Sequence, residues 1–162
     1  MSNYGAQTAQ LIAETFDAGA EHVIALMRHS ARTFLPDLHD LENRLTDEGR
    51  ELAGKLGRAL PAGLHVRGYA SPPHRCMETA QLVLQAYSGA GGSVGRTRPV
   101  EGLGPFYALD QQKMWKGMSA QGGLVPYLQS WFDGDVPPDS VIPPLLAARL
   151  VLRVLASKLD DR

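Results

Sequence analysis

Arg28-His29-Ser30-Ala31-Arg32 places an imidazole between two guanidiniums, a set of side chains suited to a phosphoryl group. Arginine forks hold phosphate oxygens bidentately, and an unprotonated imidazole nitrogen can attack phosphorus. These residues follow an apolar run, residues 23–27, which reads as a buried strand. Ligands of an open α/β sheet bind at the carboxyl ends of its strands, so the run would carry Arg28 and His29 to such an edge. Taken alone, the motif is more often that of a solvated strand end.

Two further residues gain meaning from their placement. Arg75 lies in Ser71-Pro72-Pro73-His74-Arg75, just past a second strand (residues 66–70) and at the start of a helix. If the two strands are neighbours, Arg75 and Arg28 converge on one sheet edge, where the helix N-terminus adds backbone donors for an anion. Glu101 follows a third strand (residues 94–100) and is placed to give or take a proton in the same crevice.

The elements that must position these residues alternate between strand and helix. Residues 6–18 show helical spacing, with Gly19 at the C-terminal stop. Residues 28–44 form a polar loop. Thr46 is the expected N-cap of a second helix whose first turn carries Asp47 and Glu48, where the macrodipole favours negative charge. Leu45, Leu52, Ala53, Leu56 and Leu60 trace its apolar face. The third helix carries Cys76, Ala80, Val83, Leu84 and Tyr87 on one side, with a proline expected in its first turn. The glycine-rich residues 88–93 lack the lysine and the strand-loop-helix setting of a P-loop and read as a surface turn. Short helices are expected over 111–118 and 124–132, and a long final helix over 145–159. Trp115 and Trp131 are expected to pack in a core, and His39 and His65 to lie at the surface, without metal-ligand spacing. The alternation predicts α/β architecture: three αβα layers around a mostly parallel sheet, in one domain, residues 1–162.

Bulk properties narrow the function classes. A net charge of −1 gives no global pull toward nucleic acid or membrane, so an anion site must come from clustered arginines. The single cysteine, Cys76, excludes an internal disulfide and a cysteine-rich zinc site. The start of the chain lacks a signal-peptide pattern, and the longest apolar run is broken by Arg149 and Arg153, so a cytoplasmic location is expected. Nothing in the pattern sets an oligomeric state.

Four motifs in order resemble the histidine phosphatase superfamily, the phosphoglycerate-mutase-like fold. They are Arg28-His29-Ser30, Leu45-Thr46-Asp47-Glu48-Gly49, Ser71-Pro72-Pro73-His74-Arg75 and Thr79-Ala80, and the resemblance spans about residues 22–101. It implies that His29 takes a phosphoryl group as phosphohistidine, that Arg28 and Arg75 hold its oxygens, and that water then releases phosphate without metal or other cofactor. Arg32 stands where the acid-phosphatase branch carries a further phosphate-binding arginine, and Glu101 where the mutase-like branch carries its proton donor. In the acid-phosphatase branch an aspartate after a second histidine serves instead. Ser30 replaces the family's usual glycine, which is tolerable if the backbone there avoids positive φ. The family's second histidine follows a late helix, whereas all five histidines here precede Arg75. The resemblance therefore implies either a truncated chain or a site lacking that histidine. The expected activity is hydrolysis of a phosphomonoester, on a small phosphorylated substrate or a phosphoprotein. The alternative is an impaired phosphatase-like domain that binds phosphorylated ligands or a protein partner.

Overall fold

The computed structural model describes residues 5–35 and 40–159. The chain divides into two compact units, Met1–Val100 and Glu101–Arg162. Both are mixed or helical assemblies built from the elements that local signals mark.

In the first unit α1 spans Ala6–Asp17. It ends in a Schellman turn: Gly19 N–H donates to Phe16 O and Ala20 N–H to Thr15 O, with Gly19 at φ 94°. The helix α2 spans Asp47–Ala59, and the Thr46 hydroxyl accepts from Gly49 N–H at 2.9 Å, the cap expected from its sequence. Strand β1 is His65–Ala70, α3 is His74–Gly89 and β2 is Ser93–Pro99. Pro73 caps α3 rather than sitting inside its first turn, and the glycine-rich stretch is the turn from α3 into β2.

β1 and β2 pair in parallel, with His65 opposite Ser93 and Ala70 opposite Pro99, and α3 makes the crossover that parallel strands need. The core beneath them comprises Ala53 and Leu56 of α2, Ala70 of β1, and Leu84 and Tyr87 of α3. The Tyr87 hydroxyl, buried with its ring, donates to Pro61 O at 2.9 Å and accepts from Leu64 N–H at 3.0 Å, tying the α2–β1 connection to α3. Helices α2 and α3 approach closely at Gly57, where an added Cβ would lie 2.2 Å from Val83 O.

One element departs from the sequence reading. Residues 23–27 join no strand ladder among the described residues, and Leu26 is 61% exposed. An apolar run records a preference for burial; a strand exists only where a neighbour supplies its hydrogen bonds, and neither β1 nor β2 pairs with it. The sheet formed is thus a two-stranded parallel one. The loop that follows closes through an antiparallel bridge between Arg32 and Leu45 and through Thr33 N–H donating to Arg44 O. His39 lies outside the described residues.

The second unit opens with a 3₁₀ turn, Glu101–Leu103, followed by α4 (Gln111–Ala120), α5 (Leu124–Asp133) and α6 (Pro144–Leu159). Tyr127, Val136 and Val141 form its core, with Tyr107, Met114, Met118 and Trp131 packed against them. Trp131 takes the expected packing role and donates its indole N–H to Ile142 O at 2.8 Å. Trp115 does not: it is 49% exposed on α4. Among the described residues, no helix is long and apolar enough to cross a membrane.

Candidate active site

His29 sits half-buried at the end of the apolar run, and its Nδ1 lies 2.7 Å from Ser30 O. A carbonyl only accepts, so Nδ1 carries the proton and the neutral ring presents the lone pair of Nε2. This is the tautomer that a nitrogen nucleophile requires. Burial is the main cause that holds the His29 pKa below its ordinary 6.5; the Ser30 carbonyl opposes it, while the charges of Arg75, Arg28 and Arg32 push further down. The charges of the three arginines singled out in the sequence thus all act on one imidazole.

Their settings differ. Arg75, in the first turn of α3, is 8% exposed; Arg28 is exposed, and Arg32 is half-buried with its guanidinium 5.5 Å from the Phe34 ring centroid. No side chain caps α3. Glu101 is the first residue of the second unit and is exposed in its opening turn.

Two contacts hold the loop after His29. On the α3 side, Ser30 N–H donates to Thr79 Oγ1 at 3.1 Å, and the Thr79 hydroxyl donates to Arg75 O at 2.7 Å. One buried hydroxyl thus ties the histidine loop to the turn carrying Arg75. On the α2 side, Thr46 N–H donates to Ala31 O at 3.1 Å. Gly49 faces the same carbonyl, and an added Cβ there would stand 2.1 Å from it. The Leu-Thr-x-x-Gly pattern has a physical reason here: a cap followed by a residue without a side chain lets the helix lie against the loop.

Ser30 is 2% exposed, and no non-glycine residue among those described has positive φ, so serine meets no backbone penalty in the glycine's place. Beside the site, a cavity of about 250 Å³ is walled by Thr8, Met27, Arg28, Ser30, Leu52 and Leu56 among others; His29 and Arg75 do not line it. Among the described residues no three His, Cys, Asp or Glu side chains cluster as metal ligands.

Thr79 entered the sequence reading only as part of a motif, and its bridging role became visible in the fold. Thr79→Val keeps the shape but strands the Ser30 N–H, and should cost about 1–3 kcal/mol in denaturant unfolding, with Thr79→Ser costing less. His29 should titrate below 6.5 when followed by its ring-proton chemical shifts, and Arg75→Met should move the midpoint upward by removing a repelling charge. The neutral form then persists into mildly acidic solution and is lost as pH falls through that lowered midpoint, so any activity that needs neutral His29 should have its acid limb below 6.5. A midpoint above 6.5 in the native protein contradicts this electrostatic picture.

No curated protein and no solved structure matches the chain. A family model does match, over residues 24–90, and leaves Glu101 and the whole second unit outside it. That stretch includes the Arg28-His29 loop, the Thr46–Gly49 helix start, Arg75 and Thr79, and the model to which it is similar is that of the histidine phosphatase superfamily (branch 1).

Proposed function

We propose that this protein is a phosphomonoesterase that works through a phosphohistidine on His29. The observation that carries the proposal is the Nδ1 hydrogen bond to Ser30 O, which leaves the Nε2 lone pair free on a ring that feels the charges of Arg75, Arg28 and Arg32. In the first step Nε2 attacks phosphorus, the N–P bond forms and the ester P–O bond breaks, and the alkoxide takes a proton from a general acid. In the second step water attacks phosphorus, giving inorganic phosphate and regenerating His29. Arg28, Arg32 and Arg75 bind the phosphoryl oxygens and offset the charge that gathers on them during transfer. Glu101 is the proposed proton donor. Neither step calls for a metal or organic cofactor.

The proposal carries the fold and setting with it: a three-layer αβα domain over residues 1–162, acting in the cytoplasm on a small phosphorylated molecule or a phosphoprotein. Nucleic acid and membrane are not proposed partners. The test is to mix protein with a labelled aryl phosphate, quench in alkali and look for phosphate on His29, since a phosphoramidate survives base and is lost in acid. Hydrolysis with an alkali-stable, acid-labile label on His29 supports the mechanism. Hydrolysis with the label on another residue, or on none under single-turnover conditions, rejects it. Phosphate binding without hydrolysis would make the protein a phosphate-binding domain instead.

A further inference from the structure

The loop that carries His29 is gripped from two sides, and the residues next to each grip are bonded to each other. On α2 the grip is Thr46 and Gly49 against Ala31, and the next residue is Arg50. On α3 the grip is Thr79 against Ser30, and the preceding residue is Glu78. Arg50 Nε donates to Glu78 Oε1 at 2.7 Å, closing the third side of a triangle whose other two sides end on the loop. The Glu78 side chain is only 17% exposed, unlike Asp47, the second partner of Arg50, which is fully exposed at 2.9 Å from Arg50 Nη1. The other Glu78 oxygen is buried, accepts no hydrogen bond among the described residues, and lies 3.4 Å from Nδ1 of His74, the neighbour of Arg75.

We infer that Glu78 and Arg50 are positioning residues for the phosphate site, fixing the spacing between the helix that carries Arg75 and the loop that carries Arg28 and His29. The inference rests on the proposed phosphate site and deepens it. Surface ion pairs usually matter little, but this one differs in two ways. One partner is largely removed from water, and the pair joins two elements that hold opposite sides of the same loop. Loss of the pair lets the helix starts move relative to each other, and small misplacements of charged groups weaken recognition of a compact anion steeply.

The probe is inorganic phosphate, titrated onto the purified chain with binding followed by calorimetry, alongside the thermal midpoint of each variant. The variants are Glu78→Gln, Arg50→Met, the double variant, Arg50→Lys as the conservative rescue, and Arg75→Met as the reference for the site itself. Arg50 is partly exposed, so its variants keep the test available should Glu78→Gln fold poorly. The expected result is a phosphate affinity about tenfold weaker in each single variant, no weaker still in the double, and partly restored by lysine. A lowered melting midpoint with phosphate affinity unchanged would mean a purely structural pair and overturns the inference while leaving the phosphate site standing. Absence of any Arg75-dependent phosphate binding in the native protein removes the site, and the inference with it.

Discussion

His29→Ala should reduce turnover of an aryl phosphate by about 10³-fold or more, equivalent to about 4 kcal/mol of transition-state stabilisation. The size follows from the role: without Nε2 there is no covalent intermediate, and the arginines can only orient a water for direct attack. Phosphate binding should change much less, because Arg28, Arg32 and Arg75 remain. Alanine also removes the Nδ1–H donor to Ser30 O and leaves a carbonyl of a buried residue without it, a cost of about 1–3 kcal/mol in stability that unfolding measures separately from turnover. The pairing of lost turnover with retained binding separates a nucleophile from a residue that merely helps build the pocket. Equal turnover in the two proteins would falsify the assignment.

Gly49→Ala is expected to destabilise the fold by about 1–3 kcal/mol, against the direction that helix propensity alone predicts. Alanine is favoured over glycine within a helix by about 1 kcal/mol, so a helical glycine replaced in open space should stabilise. At Gly49 the new Cβ would lie 2.1 Å from Ala31 O, and that oxygen belongs to backbone already bonded to Thr46 N–H. No flexible side chain can swing aside, so either α2 or the loop after His29 must shift; such overpacking costs about 1–3 kcal/mol beyond the propensity gain. Gly54 supplies the control within the same helix. Its added Cβ would meet only the end of the Arg58 side chain, at 3.3 Å, so Gly54→Ala should be neutral or stabilising. Urea unfolding of both variants reads the stabilities, and phosphate titration shows whether Gly49→Ala has displaced the loop. Equal stabilities for the two variants would remove Gly49 as the reason that α2 can lie against residue 31.

Much of the local structure was legible in the residues. The Thr46 cap, the acidic first turn of α2, the Gly19 stop, the long α3 and the final helix each depend on signals within a few positions, where spacing and backbone freedom decide the outcome. The residue types that gather around His29 were equally visible, because paired arginines and an imidazole announce their chemistry through charge and proton affinity alone. Trp115 shows the limit on the same scale: an aromatic ring prefers burial, yet a ring on α4 is buried only if something covers it.

By itself, then, the chain determined which segments are helical, where they start and stop, and which side chains are capable of phosphoryl chemistry. Only the tertiary structure decided how those capabilities are joined. Ser30 reaches Thr79 across 49 positions, and Arg50 reaches Glu78 across 28. It likewise left residues 23–27 outside the β1–β2 ladder despite their strand-like composition. The fate of an apolar run and the partner of a buried hydroxyl are set by distant neighbours, which no local pattern encodes. The Arg28-His29 motif shows an imidazole and neighbouring cations; the grips of α2 and α3 hold the loop after it.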